Sequence, residues 1–362
     1  MPMKNEYNRR LEKIEAVINT WLPENPDSAW VEKVFGAAAG SYVSPELAMS
    51  LARPGWDLVN RGGKRWRPLL MVLAAESIAG ESGGEAALPL APLVEFPHNA
   101  SLIHDDIEDN SDERRGKPAV HLIYGMDTAI NSGSFLYFLP LACLEAWAAP
   151  DAAGVKENIR TAWASHMRGL HLGQAMDITW HRDYSSLPGL DEYDRMCRLK
   201  TGCLARLSAV LGVYAGLFSL KKSGYQELAD VFGSAAEQLG VGFQILDDVK
   251  NLETGIPGKK RGDDIVEGKK SLPVLFYLHR YPEKRDFAAR CFSAARSKGV
   301  TAPEVEEFIS ALEGTGILDE ARGKASEYIK ESRRVFSAPR IADFCLKEEG
   351  RELLAGLVDS LC

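Results

Sequence analysis

Residues 90–109 read LAPLVEFPHNASLIHDDIED, an apolar stretch that ends in a cluster of carboxylates. Its apolar residues recur at intervals of three and four, which is the period of an α-helix with one buried face. The same period runs through most of the chain, whereas alternating strand-like patterns are scarce. The sequence therefore predicts an all-α fold of many helices. Further examples are LEKIEAVINTWL (11–22), RPLLMVLAAESIAG (67–80), GSAAEQLGVGFQILDDVKNL (233–252) and VEEFISALEGTGILDEARGKASEYIKESRRVF (305–336).

The composition is that of a soluble globular protein, with 45% hydrophobic and 26% charged residues among 362. No apolar run approaches the roughly 18 residues that span a bilayer, and the N-terminus lacks the apolar core of a secretion signal. We therefore expect a cytoplasmic protein without stable membrane insertion. The net charge of −8 argues against a general affinity for nucleic acid, which needs a surplus of Lys and Arg on one face.

The length permits either two domains or one large helical domain. Short Gly- and Pro-rich connections separate the helical stretches, and none is long enough to be a flexible interdomain linker. The six cysteines form no CxxC pair and lie far from any His at ligand spacing. Neither a zinc site nor a disulfide framework is therefore expected.

The carboxylates that end the first stretch form a candidate metal site. Asp105 and Asp109 are four residues apart, so on a helix their side chains project from one face, with Asp106 offset. Like charges at this spacing destabilise a helix unless a cation lies between them. Carboxylates without nearby His or Cys favour Mg²⁺, which commonly binds one or two carboxylates and substrate phosphates. The alternative interpretation is a solvated acidic helix end.

A second pair of carboxylates, Asp247 and Asp248, ends another apolar stretch, with Gln244 one turn earlier. Two such clusters at helix ends indicate a cavity whose mouth is lined by carboxylates from opposite walls. Several Mg²⁺ ions bound there would bridge to a polyphosphate.

Basic residues accompany both acidic clusters. GGKRWRP (62–68) places Lys64 and Arg67 one turn apart, after two glycines that allow a ligand to approach the backbone closely. Guanidinium groups such as those of Arg114 and Arg115 match phosphate oxygens bidentately. Each of these cations alone is most simply an ordinary surface residue, but together they complement a bound phosphate. Three further lysines belong to the set, namely Lys200, Lys259 and Lys269.

The ordered motifs GGKRWRP, HNASLIHDDIED, RRGKP, KTG, GFQILDD and EGKKSLP closely resemble those of the trans-isoprenyl diphosphate synthases, the polyprenyl synthetase family. They span residues 62–273, and the first aspartate motif has the family's DDxxD form. The resemblance implies a single domain over residues 1–362, built as one large helical bundle around a central cavity. It also implies a homodimer and the use of Mg²⁺.

Carried over position by position, the family pattern assigns roles to individual residues. It assigns Mg²⁺ to Asp105, Asp109 and Asp247, with Asp106 and Asp248 in support. It assigns binding of the diphosphate group of isopentenyl diphosphate to Lys64, Arg67, His98 and Arg115. The alternative for His98 is a core histidine that is hydrogen-bonded to the backbone. It assigns binding of the allylic diphosphate to Arg114, Lys200 and Lys259, with Lys269 nearby. Thr201 and Gln244 are expected close to the reacting carbon.

The implied reaction joins isopentenyl diphosphate to an allylic diphosphate (dimethylallyl, geranyl or farnesyl). Asn251 departs from the pattern, because many family members carry a third Asp there, although Asn variants occur among geranylgeranyl diphosphate synthases. It motivates one alternative, a non-catalytic partner subunit of a heteromeric synthase. Another alternative is a head-to-head or cyclising terpenoid synthase, against which GGKRWRP and RRGKP argue, since these motifs serve a second diphosphate.

Product length depends on the residues beneath the first aspartate motif. Ala100 and Ser101 lie five and four residues before Asp105, about one helical turn deeper. Short-chain relatives commonly carry an aromatic residue at this level, whereas both residues here are small. We therefore expect a product of C20 or longer, with farnesyl diphosphate (C15) as the alternative. The aromatic residues of SFLYFLP (134–140), Phe135, Tyr137 and Phe138, are candidates for the cavity floor or for ordinary core packing.

Overall fold

The computed structural model describes residues 2–147, 152–224, 226–255, 260–341 and 343–361. Helices dominate these ranges and the only strands within them form two short hairpins, so the predicted all-α fold is confirmed. The hairpins pair β1 (Glu113–Arg114) with β2 (Lys117–Pro118), and β3 (Arg340–Ile341) with β4 (Phe344–Cys345). The helices are α1 (Pro2–Trp21), α2 (Ser28–Phe35), α3 (Pro45–Asn60), α4 (Trp66–Ala79), α5 (Glu81–Ala87), α6 (Pro92–Glu108), α7 (Val120–Tyr124), α8 (Met126–Ala146), α9 (Ala153–Arg182), α10 (Leu190–Cys197), α11 (Cys203–Ser219), α12 (Gln226–Glu253), α13 (Asp263–Glu267), α14 (Leu272–Arg280), α15 (Arg285–Lys298), α16 (Pro303–Glu313), α17 (Ile317–Phe336) and α18 (Glu348–Leu361).

Local sequence signals fix several helix ends. Asp27 caps α2 by accepting a hydrogen bond from the Trp30 amide at 2.8 Å, and Ser44 caps α3 in front of Pro45. The continuous helical pattern over 305–336 is divided into α16 and α17, because Gly316 takes a positive φ of 72° that few other residues adopt.

The centre of the fold is α11, which packs against α4 on one side and α12 on the other. Helix α6 packs on α8, α17 covers α12, and α18 covers α4. The span Leu190–Ser219 is long and apolar enough to cross a membrane, but 83% of its most apolar window is buried within the fold. Burial on this scale is what a core helix requires, and it explains the all-round hydrophobicity of α11.

Two hydrophobic clusters meet along α12. Leu239, in the first half of the helix, belongs to the larger cluster, whereas Ile245 belongs to a smaller cluster built with α10 and α13–α17. Because one continuous helix contributes to both clusters, the packing supports a single domain. The single-domain organisation remains our proposal.

Candidate active site

A cavity of about 400 Å³ lies among the helices. Its walls come from the loop before α4, α6, the β1–β2 hairpin, α8, α9, α12 and the segment after α13. Lys259 lies outside the described residues. The predicted site residues that line the cavity are Lys64, Arg67, His98, Ser101, Asp105, Arg114, Arg115, Lys200, Thr201, Gln244, Asp247, Asp248 and Lys269.

The first aspartate motif ends α6, and its three aspartates have different surroundings. Asp105 lines the cavity and accepts hydrogen bonds from Gln174 Nε2 at 2.9 Å and Lys200 Nζ at 3.3 Å. Asp109, which the sequence predicts as a metal ligand, has a buried side chain and is not part of the cavity lining. Burial raises its pKa, although the Lys269 ammonium lies 3.3 Å from its Oδ2. Asp106 is fully buried and accepts a hydrogen bond from Arg114 Nε at 2.8 Å. Asp106 therefore holds Arg114 in place.

The second motif, on α12, divides its two aspartates in the same way. Asp248 accepts hydrogen bonds from Tyr193 Oη at 2.7 Å, from Gln244 Nε2 at 2.9 Å and from the Leu272 amide at 3.3 Å. Asp247 lines the cavity and has no hydrogen bond or ion pair within the described part of the chain. Burial raises the pKa of Asp247 to about 6. An ionised Asp247 is thus costly until a cation binds nearby.

The donor atoms suit Mg²⁺, a hard ion that prefers oxygen ligands. Asp105, Asp109 and Asp247 offer carboxylate oxygens, and the raised pKa values of Asp109 and Asp247 show that positive charge there would be stabilising. Within the described residues, no three Asp, Glu, His or Cys side chains converge closely enough to hold one ion. The site therefore fits Mg²⁺ if substrate oxygens complete its coordination, as is usual for this ion.

One group of cations in the cavity has no carboxylate partner at ion-pair distance among the described residues: Lys64, Arg67 and Arg115. Lys270 also lines the cavity without a carboxylate at this distance, and its ammonium donates to the Gly268 carbonyl at 3.2 Å. The Nε of Arg67 is buried without a hydrogen-bond partner in the same part of the chain, and its Nη1 lies 3.5 Å from His98 Nε2. Within the described ranges, Arg115 donates hydrogen bonds only to uncharged oxygens, those of the Leu58 backbone and the Asn99 side chain. Burial lowers the pKa of Arg115 to about 10 and keeps His98 neutral by lowering its pKa. These cations are available to an anion.

A second group of cations is paired with carboxylates. Arg114 is bound to Asp106 and lies 3.7 Å from Asp105. Lys200 Nζ lies 2.5 Å from Asp177, and Lys269 contacts both Asp109 and Glu267. Although burial alone would lower the pKa of each lysine, the neighbouring carboxylates raise it overall, so both stay charged. These cations are already compensated in the absence of a ligand.

Lys200 and Thr201 lie in a π-helical turn, Arg198–Gly202, between α10 and α11. Such turns are rare and often occur at functional sites. The turn approaches α9 so closely that a Cβ at Gly173 would overlap the Lys200 backbone nitrogen. It directs the Thr201 hydroxyl to Gln244 Oε1, at 2.8 Å, and so joins two of the predicted residues.

Two cavity residues on α9 were missed from the sequence. Gln174 donates hydrogen bonds to Asp105 at 2.9 Å and to Glu108 at 2.6 Å, and Asp177 holds Lys200. Their only signal in the sequence is polar side chains three residues apart in GLHLGQAMD, on an otherwise amphipathic helix. Spacing alone does not distinguish such a pair from a solvated helix face.

The residues proposed for the cavity floor need a correction. Phe138 is 65% exposed on the outer side of α8, and Phe135 stacks on Phe35 at 5.8 Å, so neither lines the cavity. Tyr137, which lies between them in sequence, does line it. Consecutive helix positions point about 100° apart, which separates Tyr137 from its neighbours.

Below the first motif, Tyr137 lies between two histidines. Its ring centroid is 5.7 Å from that of His104 and 5.0 Å from that of His171, and all three side chains line the cavity. Ser101 also lines the cavity, whereas Ala100 is fully buried and is not part of the lining. The chain-length role of Ala100 stays a prediction.

Comparison with known proteins agrees with this architecture. Residues 49–309 match the family model described as polyprenyl synthetase. The chain is 36% identical to a short chain isoprenyl diphosphate synthase of Methanocaldococcus jannaschii over 262 residues, covering 70% of this chain and 74% of that one. It is 29% identical to the geranylfarnesyl diphosphate synthase of Aeropyrum pernix over 309 residues, covering 83% and 90%.

The structure also resembles that of a geranylgeranyl pyrophosphate synthetase from Pyrococcus horikoshii Ot3, with a TM-score of 0.80 and 26% identity. That similarity covers 99% of this chain and 98% of the other. The match of the family model to most of the chain, the ordered motifs and their convergence on one cavity lead to a single conclusion. The chain belongs to the polyprenyl synthetase family.

Proposed function

We propose that this protein is an Mg²⁺-dependent trans-prenyltransferase that joins isopentenyl diphosphate to an allylic diphosphate and releases diphosphate. The allylic substrate would be dimethylallyl, geranyl or farnesyl diphosphate, and the product a prenyl diphosphate of C20 or longer. The relatives named above, whose products include geranylgeranyl and geranylfarnesyl chains, favour this length over farnesyl diphosphate. The cytoplasmic location stays a prediction.

The observation that carries this proposal is the presence of two kinds of cation around one cavity. Lys64, Arg67 and Arg115 have no carboxylate partner in the described chain, so an anion can bind them without metal. Arg114, Lys200 and Lys269 are paired with carboxylates. A second anion can compete with these carboxylates only if additional positive charge accompanies it or is already bound at the site. Two diphosphates, of which only one needs metal, satisfy both arrangements.

The side chains divide the work of the reaction. The unpaired cations and His98 hold isopentenyl diphosphate and orient its double bond, while the paired cations receive the allylic diphosphate. Mg²⁺ supplies electrostatic stabilisation of the departing diphosphate when bound. Arg114, Lys200 and Lys269 add fixed positive charge where negative charge develops. Holding both substrates in one cavity turns a bimolecular step into an effectively unimolecular one.

The reaction is balanced without a protein nucleophile. The allylic C–O bond breaks and leaves a carbocation and diphosphate, and the C3–C4 double bond of isopentenyl diphosphate attacks the cation to form the new carbon–carbon bond. A proton then leaves, with the departing diphosphate as its acceptor. Thr201 and Gln244, joined by a 2.8 Å hydrogen bond, present polar oxygens to the cavity near the paired cations.

Binding without metal tests the two kinds of cation. Isopentenyl diphosphate should bind the metal-free protein, because Arg67 and Arg115 carry no competing carboxylate. Arg67→Gln should weaken this binding by about 10- to 100-fold, the effect of losing a charge-assisted hydrogen bond. A non-ionising thiolo analogue of geranyl diphosphate should bind only when Mg²⁺ is added. Isothermal titration calorimetry measures both affinities.

The control for this measurement is Arg160→Gln, which removes an exposed arginine of α9 that forms an ion pair with Glu157. It should leave both affinities unchanged. Isopentenyl diphosphate binding that requires Mg²⁺, or that persists unchanged in Arg67→Gln, would contradict the assignment.

We expect the Tyr137 side chain, which forms the floor of the cavity below the first aspartate motif, to limit the length of the product. Tyr137→Ala removes an aromatic side chain from the cavity lining and should shift the product distribution toward longer chains, because the growing chain meets less obstruction. Phe135→Ala is the matched control, since this nearby ring of α8 packs on Phe35 outside the cavity. Chromatography of the dephosphorylated products reads the chain length independently of the rate. An unchanged product length in Tyr137→Ala, or the same lengthening in Phe135→Ala, would refute the floor assignment.

We also propose that the protein is a homodimer. Six exposed apolar side chains lie on the neighbouring helices α7, α8 and α9, and a surface of this kind is typical of a subunit interface. Such a patch on every copy suits a twofold assembly, in which the same surface is used twice. The residues are Leu122, Ile123, Met126, Ile130, Phe138 and Leu172, each between 45% and 65% exposed.

A charge on this face should disrupt the dimer. Leu172→Glu would bury a carboxylate in the proposed interface and should shift the protein to monomers at micromolar concentration. The matched control is Leu190→Glu, which changes another exposed leucine on α10, a helix without substantial contacts to α7 or α8. Analytical ultracentrifugation distinguishes the two states. A wild-type monomer, or a Leu172→Glu dimer of wild-type stability, would exclude this interface.

A further inference from the structure

The last residue of the second aspartate motif, Asn251, is a buried side chain near the end of α12. It is 1% exposed, and both ends of its amide are used. Its Oδ1 accepts a hydrogen bond from the Asp264 amide at 3.2 Å, and its Nδ2 donates to the Lys260 carbonyl at 3.4 Å. Its own carbonyl accepts from the Gly262 amide at 3.0 Å. Asn251 thus binds the backbone of the segment 260–264 at three points.

These bonds continue toward the paired cations of the cavity. The Asp264 carbonyl accepts a hydrogen bond from the Lys269 amide at 2.8 Å, which closes α13 into a tight loop. Lys269 then places its ammonium 3.3 Å from the buried carboxylate of Asp109, which follows α6. Two successive hydrogen bonds therefore connect Asn251 to the backbone of Lys269.

Asp248 holds the other end of the same segment. Its Oδ2 accepts from the Leu272 amide at 3.3 Å and is itself fixed by the Tyr193 hydroxyl at 2.7 Å. Segment 260–272 is therefore tied to α12 at both ends by side chains of the motif. Asp247, Asp248 and Asn251 all line the cavity, but Asp247 alone of these three has no hydrogen-bond or ion-pair partner in the described part of the chain.

We propose that Asn251 is a positioning residue, not a metal ligand: together with Asp248 it fastens segment 260–272, so that Lys269 faces the allylic diphosphate while Asp247 alone of the motif meets the metal. The roles of Lys269 and Asp247 rest on the proposed function, whereas the fastening itself does not. An amide can accept from one backbone group and donate to another, but an ionised carboxylate only accepts.

The substitution Asn251→Asp distinguishes a positioning residue from a metal ligand, because the two roles predict opposite effects on substrate and Mg²⁺ binding. It supplies a better metal ligand, but it loses the donor to Lys260 and places negative charge against that carbonyl oxygen. Asn251→Ala removes both contacts without adding charge. Asn158→Asp is the matched control, because it adds the same charge on an exposed position of α9.

The first measurement is hydrogen exchange of the metal-free, substrate-free protein. Both Asn251 variants should exchange the amides of residues 262–269 at least about tenfold faster than the wild type, with the α11 amides unchanged as a sign of an intact fold. The Asn158→Asp control should match the wild type. Wild-type protection of residues 262–269 in both variants would overturn the proposal.

The second measurement is steady-state kinetics with Mg²⁺ titration. Asn251→Asp should raise KM for the allylic diphosphate by about tenfold, leave KM for isopentenyl diphosphate unchanged and bring no gain in Mg²⁺ affinity. Tighter Mg²⁺ binding by Asn251→Asp, together with wild-type hydrogen exchange of residues 262–269, would identify position 251 as a metal-ligand position. That result would refute the fastening role. Exchange needs no turnover, so failure of the proposed function, seen as an inactive wild type, is distinguishable from failure of this inference.

Discussion

The structure depends on keeping many ionised side chains of both signs in one buried cavity. A buried charge without a partner is strongly destabilising, so most of these groups are paired. Asp106 with Arg114, Asp177 with Lys200, and Asp109 with Lys269 connect α6, the first hairpin, α9 and the segment after α13. Among the described residues that line the cavity, the charged groups without an ion-pair partner include the cations Lys64, Arg67, Arg115 and Lys270 and the carboxylate Asp247. The charge of these groups therefore remains for ligands to neutralise.

The unpaired cations are held by neutral and indirect contacts, which keeps them cationic and oriented. Arg65, a buried neighbour of Arg67, takes the acidic partners in their place by binding Glu95 at 2.8 Å and Glu15 at 2.7 Å. Asn99 then connects Glu95 to Arg115 through its amide, with bonds of 2.9 and 3.1 Å. Negative charge is thus kept one step away from the guanidinium groups that are to bind an anion.

Much of the fold and of the site was predictable from the sequence, because helical periodicity and ordered charged motifs are local signals. The cavity does bring together both aspartate motifs, GGKRWRP and the Lys200–Thr201 pair. What could not be predicted depends on three-dimensional packing. The role of Gln174 arises only where α9 crosses α6, and the choice of Tyr137 over Phe135 and Phe138 depends on the rotation of α8 about its axis. The hydrogen-bonding role of Asn251 likewise could not be predicted from the motif, because its partners are backbone groups nine and thirteen residues away.

The most direct test of the central claim is turnover by the purified single chain. It would be incubated with Mg²⁺, labelled isopentenyl diphosphate and, separately, dimethylallyl, geranyl or farnesyl diphosphate, and the dephosphorylated products would be separated by chromatography. Two diphosphate sites in one cavity predict discrete labelled alcohols of C20 or longer. The absence of extension with all three starters would contradict this account and favour a non-catalytic subunit that requires a partner.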